Sequence, residues 1–146
     1  MNRGLRGVFL LGLLLSVLAG CSSSTDEEEF PASQKYYFLE SLNQVEDGGR
    51  RLQTAGLDRQ AVTEALAALD QGLKLAFQVE RSFLDRLDLR LGKNFERFFI
   101  KGVENYRVGI EAGDDEQQRE GLRLLARWAE FWNPEQAAIR ARLNPE

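Results

Sequence analysis

The chain has 146 residues, with 19 basic and 23 acidic side chains, no histidine and a single cysteine. That length holds one domain and allows a core without covalent staples. The mild acidity leaves no electrostatic footprint for nucleic acid. One cysteine excludes an internal disulfide, and the missing histidine removes the commonest general base and metal ligand.

Arg3 and Arg6 precede an apolar run from Val8 to Ala19, interrupted only by Gly12 and Ser16. A run of about a dozen residues suits a signal-peptide h-region and falls short of the roughly 20 that a membrane span needs. Leu18-Ala19-Gly20-Cys21 closes it with the chain's only thiol. Residues 1–21 resemble the signal and lipobox of bacterial lipoproteins. The resemblance implies removal of residues 1–20, diacylation of Cys21, and in Gram-negative bacteria acylation of the new amine. Two or more chains, at about 0.8 kcal/mol per buried CH2, anchor a protein stably in a bilayer. Lipoproteins kept at the inner membrane typically carry Asp after the cysteine. Ser22 in that place implies the outer membrane, with the body facing the periplasm. The competing readings are an ordinary cleaved secretory signal and an uncleaved anchor.

From Cys21 onward, seventeen basic residues face twenty-three acidic ones, a net charge of −6. Asp26 and Glu27 to Glu29 form one run, and without them the body stands near −2. Residues 22–29 contain no apolar side chain and read as a solvated spacer, so residues 21–32 are expected to form the lipidated cysteine and an acidic tether. Fully extended, the spacer reaches about 30 Å.

Residues 33–146 read as an all-α, bundle-like domain of four to five helices. A first helix is expected from Ser33 to the stop at Gly56, with Phe38, Leu42, Val45 and Leu52 on one stripe. Gly48 and Gly49 weaken it, and Gly49 falls where a close helix approach would use it. Asp58 is a plausible N-cap for a second helix. Val62, Leu66, Leu69, Leu73, Phe77, Leu84, Leu87 and Leu91 then mark one long seam. Phe95, Phe98, Gly102, Tyr106 and Gly109 stay in phase with it, but an unbroken helix would be near 80 Å long, so a turn is expected at Gly92-Lys93-Asn94 and a kinked helix is the alternative. Gly113-Asp114-Asp115 is the clearest boundary, with Asp115 and Gln118 in a capping-box pattern. The next helix, through Leu122, Leu125, Ala129 and Trp132, is expected to end at Asn133-Pro134, and a short terminal helix to carry Ile139 and Leu143.

Four constellations carry chemical interest. Glu80 interrupts the seam between Phe77 and Leu84, where a carboxylate would need a partner; it serves as a general acid, as a partner-binding charge, as half of a structural pair, or as a solvated group where the seam splays. Arg86, Arg90, Lys93, Arg97 and Lys101 form a basic ridge at helical spacing, suited to an acidic partner, anionic lipid or peptidoglycan carboxylates, or simply solvated beside Asp85 and Asp88. Trp128, Phe131 and Trp132, with Leu124 and Leu125, widen the apolar face of their helix to about half its circumference, more than a surface helix needs. That breadth fits either a groove for a partner helix or a helix buried on two sides. Asp114 to Glu116 lack the spacing of a calcium loop and read as capping residues.

No cofactor or metal site is expected, and the only thiol would carry lipid, so catalysis is not the expected role. The expected role is a membrane-anchored binding or assembly accessory, partnered by the bilayer through Cys21 and by an envelope protein through the helical groove. In class such a chain is similar to the pilotins of secretion-system secretins, although it carries no pilotin motif. The alternatives are a structural lipoprotein touching peptidoglycan through the basic ridge, and an enzyme or inhibitor using Glu80.

Overall fold

A computed structural model describes residues 29–144. The expected signal peptide of residues 1–20, Cys21 and the acidic stretch to residue 28 lie outside the described residues, as do residues 145–146. The described chain is all α: helix α1 (Ala32–Ala55), α2 (Arg59–Ala76), α3 (Arg81–Leu87), then α4 (Leu91–Asn94), a π-helical segment (Phe95–Ile100) and α5 (Lys101–Ala112) in one continuous rod, and finally α6 (Asp115–Leu143). These five rods make a bundle with no strand among the described residues.

Two antiparallel hairpins, α1–α2 and α5–α6, carry most of the length. Gly56 and Gly113 close them with positive φ angles of 56° and 66°, which side chains other than glycine rarely adopt. Each second helix starts on an aspartate. Asp58 accepts from the Gln60 and Ala61 amides, and Asp114 from those of Glu116 and Gln117. The cap is therefore Asp114, one residue before the expected Asp115. The first hairpin closes tightly at Gly48, where a methyl group would stand 2.8 Å from Leu69 Cδ2. The expected contact at Gly49 is displaced by one position, and a methyl there would meet nothing within 4 Å.

Short elements join the hairpins around an aromatic hub. Phe38 is fully buried, with Phe83, Phe95 and Trp132 edge-on at 6.3, 5.4 and 5.7 Å between ring centroids. Phe95 stacks on Phe99 at 4.9 Å, and Trp128 on Trp132 at 5.4 Å. Such ring pairs add about 0.5–1.5 kcal/mol each beyond their burial.

Three expected boundaries are corrected. The long seam breaks twice, at residues 77–80 and at 88–90, whereas Gly92-Lys93-Asn94 is helical. The first break is held from a distance: Gln34, buried on α1, donates through Nε2 to the Gln78 carbonyl at 3.2 Å and accepts the Glu80 amide on Oε1 at 2.7 Å. The second is local, because Asp88 Oδ1 accepts the Arg90 amide at 2.8 Å while its carbonyl accepts from Leu91 at 2.9 Å. That turn satisfies the groups a continuing helix would have used. Finally, α6 runs through Pro134 without ending. A proline inside a helix costs about 3 kcal/mol, and here the turns beyond it bury Ile139 and Leu143 completely enough (1% and 0% exposed) to hold the helix on course. The Arg142 guanidinium also donates to the Leu87 carbonyl.

At the N-terminus the packed body begins earlier than Ser33. The Phe30 ring meets Phe83 edge-on at 5.6 Å, and the Arg86 guanidinium lies 4.6 Å over its centroid. Residues 30–32, expected in the tether, belong to the domain.

Candidate functional site

Glu80 is not the buried carboxylate that the seam pattern suggested. The break at residues 77–80 takes it off the α2 stripe, and it stands exposed just before α3, contributing its backbone amide to Gln34. Its side chain caps no helix.

The basic ridge is also divided. Arg86 lies on α3, Arg90 in the turn, Lys93 on α4, Arg97 in the π segment and Lys101 at the start of α5. The turn at 88–90 separates Arg86 from the rest. Arg90 bridges Asp88 at 3.1 Å and Glu135 on α6 at 2.8 Å, and lies 5.4 Å from the Phe131 centroid. These two carboxylates raise its already high pKa, and the Arg90 bond in turn holds Asp88 below the usual carboxylate range. Lys101 pairs with Glu104 at 3.0 Å.

Of the aromatic face, Trp128, Trp132 and Leu124 are core, at 6%, 9% and 8% exposed. The wide apolar face of α6 is buried on two sides, so these residues do not form an open wall. Phe131 and Leu125 stay partly exposed.

One residue of the ridge, Arg97, comes together with the rim of the aromatic face, while Arg86, Lys93 and Lys101 stay exposed elsewhere. Arg97 and Phe98 of the π segment face Arg123, Leu124, Arg127, Glu130 and Phe131 of α6 across an open groove of about 480 Å³. The wider π turn is what places Phe98 at the groove while Phe95 and Phe99 stay buried. π-helical turns of this kind are often found at functional sites. The Arg97 guanidinium lies 5.4 Å from the Phe98 ring centroid. Arg123 and Arg127 pair within their own helix, with Glu120 at 2.7 Å and Glu130 at 3.0 Å. The Arg123 bonds raise its own pKa and lower that of Glu120. All four of those side chains are well exposed, between 43% and 65%, so the pairs are weak and exchange partners readily.

Sequence reading missed Phe98, Arg123 and Arg127 as site residues. A signal was present: Arg123, Arg127 and Phe131 recur every fourth residue and therefore share one stripe of α6. Chemically the groove offers planar guanidinium forks for carboxylates beside two half-exposed rings. It holds no thiol or hydroxyl nucleophile. Among the described residues no cluster of carboxylates is arranged to hold a metal ion, and no helix is long and apolar enough to cross a membrane.

No protein-family model, curated protein or solved structure matches the chain.

Proposed function

We propose that this chain is a lipid-anchored envelope lipoprotein that holds an acidic partner in the groove between the π segment and α6, without catalysing a reaction. The observation that carries the reading is the convergence of Arg97, Arg123 and Arg127 around Phe98, Leu124 and Phe131. Arginine beside half-exposed aromatic rings is the composition of binding hot spots. The groove's ionisable side chains are three arginines and one glutamate already paired to Arg127, a set suited to recognition and lacking a base tuned for proton transfer. The lipobox supports the anchor and the outer-membrane, periplasm-facing placement.

The test uses the lipidated, tagged protein in native envelopes, with a photo-crosslinking residue at position 131. A defined envelope protein should be captured, and Arg97→Glu/Arg127→Glu should lose it while the helical circular dichroism spectrum is unchanged. Capture that survives the double reversal would refute the groove. Sedimentation with purified sacculi at low salt, abolished by the same reversal, would instead assign the groove to peptidoglycan carboxylates. Mass spectrometry of Cys21 tests the anchor separately.

A further inference from the structure

The groove between the π segment and α6 is graded by depth. Leu124 is buried, Phe98 and Phe131 are partly buried, and Arg97, Arg123 and Arg127 stand exposed. An apolar floor therefore lies between two basic rims, Arg97 on the π segment and Arg123 with Arg127 on α6. The three arginines are not equally engaged. Arg123 grips Glu120 through two bonds of 2.7 Å, and Glu120 does not line the groove. Arg127 makes a single bond of 3.0 Å to Glu130, which does line it. Arg97 has no carboxylate partner among the described residues, and its guanidinium lies 5.4 Å from the Phe98 ring centroid. One rim is thus open, and the other is held by a carboxylate of the chain's own.

We propose that the occupant is an amphipathic helix of the partner, its apolar stripe flanked on both sides by carboxylates, and that Glu130 holds the place of one of those carboxylates until the helix docks. The inference rests on the groove reading above and specifies the form of the partner. Charge complementarity selects acids on both flanks of the stripe, because guanidinium groups stand on both rims of an apolar floor. The spacing suits a helix: Arg123 and Arg127 are four residues apart, a rise of about 6 Å, and carboxylates at i and i+4 of a helix lying alongside repeat at the same step. The fold disfavours an extended segment. Such a segment takes its affinity from main-chain bonds to a sheet edge, and there is no strand among the described residues. A helix satisfies its own backbone and needs only side-chain partners.

Glu130 then acts as a built-in competitor. Its bond to Arg127 is single and both side chains are more than half exposed, so the bond opens at little cost. Docking exchanges one carboxylate for another at Arg127, while Glu130 turns to water. The partner gains most at Arg97, where no carboxylate has to leave. A lone acidic side chain therefore gains little from the α6 rim, and a helix that reaches both rims gains at each. Arg97 sets the affinity, and Glu130 sets the threshold that a weakly acidic helix does not pass.

The test titrates the mature chain, carrying Cys21→Ser so that the result does not depend on acylation, with synthetic peptides of about 18 residues, long enough to form a helix alone. The first is an alanine-based helix with a leucine stripe and glutamates on both flanks. The second has glutamine for every glutamate, and the third has two central alanines replaced by proline, which breaks the helix. NMR shifts of the amides at residues 97–98 and 123–131 report occupancy of the groove. The first peptide should bind there, and each of the other two about tenfold more weakly, as expected from losing a few exposed pairs. Glu130→Gln should tighten the first peptide about threefold, and Arg97→Gln should weaken it more than Arg127→Gln does. All three sites are exposed, so the variants keep the fold, and the parent circular dichroism spectrum checks this. A proline peptide that binds as tightly as the helical one overturns the helix and leaves an acid-binding groove. Affinity unchanged by Glu130→Gln overturns the competitor. Groove amides that shift with protein concentration alone assign the groove to a second copy of the chain and overturn the proposal. If no peptide binds while position 131 still crosslinks an envelope protein, the helix falls and the groove stands; if crosslinking fails as well, both fall.

Discussion

Replacing Gly121 by alanine should destabilise the domain, although alanine is the better helix former. Gly121 lies on α6 where that helix crosses α5, and a methyl group there would stand 2.7 Å from Tyr106 Cα and 2.8 Å from the Gly102 carbonyl oxygen. Ordinary contacts between such atoms need about 3.5 Å or more, so the helices must part by close to 1 Å. Both obstructing groups are backbone, which has no rotamer to change. Overpacking of this kind costs about 1–3 kcal/mol, and the helix-propensity gain returns about 1 kcal/mol, which leaves a net loss near 2 kcal/mol if the cost is at the upper end. Gly49→Ala provides the opposite sign on the same chemistry, because its methyl meets nothing within 4 Å and the propensity gain of about 1 kcal/mol is kept. For a domain of this size 1 kcal/mol moves Tm by about 4 °C. Thermal unfolding followed by circular dichroism should therefore show Gly121→Ala about 8 °C below the parent and Gly49→Ala about 4 °C above it. A Gly121→Ala variant as stable as Gly49→Ala would refute the reasoning, since the α5–α6 spacing would then not be set by the missing side chain.

Four further substitutions probe other joints. Gln34→Leu keeps the side-chain volume but strips the Gln78 carbonyl and the Glu80 amide of their partners, and should lower the urea-unfolding free energy by about 1–3 kcal/mol. Trp128→Ala should cost about 3–5 kcal/mol, as a buried aromatic does, while Phe131→Ala, partly buried with its ring 5.8 Å from that of Trp128, should cost clearly less and lose partner capture as well. Asp88 has a folded-state pKa held below the ordinary carboxylate value, first of all by its bond to Arg90. Its contribution to stability is therefore full above about pH 4 and is lost as pH falls through the folded value. Asp88→Asn, which keeps the acceptor for the Arg90 amide, should flatten that part of the acid limb in urea midpoints compared at pH 3 and pH 6.

The hairpins were legible because their determinants are local. Asp58 and Asp114 sit where a cap is needed, Gly56 and Gly113 sit where φ must turn positive, and the apolar stripe between them has a period of 3.6. The junction was not legible, for the opposite reason. Phe77-Gln78-Val79-Glu80 contains no glycine or proline, and the side chain that ends α2 there comes from Gln34, more than forty residues earlier. A pattern read along one segment has no access to such a bond, so the stripe was carried through a break and Glu80 was placed on a face it does not occupy. Pro134 misled in the other direction. The local cost of proline is real, but tertiary burial of Ile139 and Leu143 exceeds it. The same overriding applies to the aromatic face: breadth alone did not reveal that the second side of Trp128 and Trp132 is covered by Phe95, Phe99 and Phe38.

The elements that escaped local reading are also the ones that build the surfaces. The groove exists because the π segment widens at Arg97 and Phe98 opposite α6, and a second hollow, lined in part by Arg86, Arg90 and Arg142, exists because Asp88 breaks the chain between Arg86 and Arg90. Both depend on the short junction that clamps two stiff hairpins, and neither could be built on a hairpin alone, where side chains are committed to the partner helix. A partner engaging the groove would press on the rod whose first turn, Leu91 to Asn94, abuts the Asp88 turn. Asp88 and Arg90 thus lie between the two surfaces, with Arg90 reaching Glu135 and the Phe131 ring on one side and lining the hollow on the other. A double-mutant cycle between Arg90→Gln and Arg97→Glu would measure any link through this pair as a departure of partner affinity from additivity. Additive effects within about 0.5 kcal/mol would show instead that the Asp88 turn and the groove act independently.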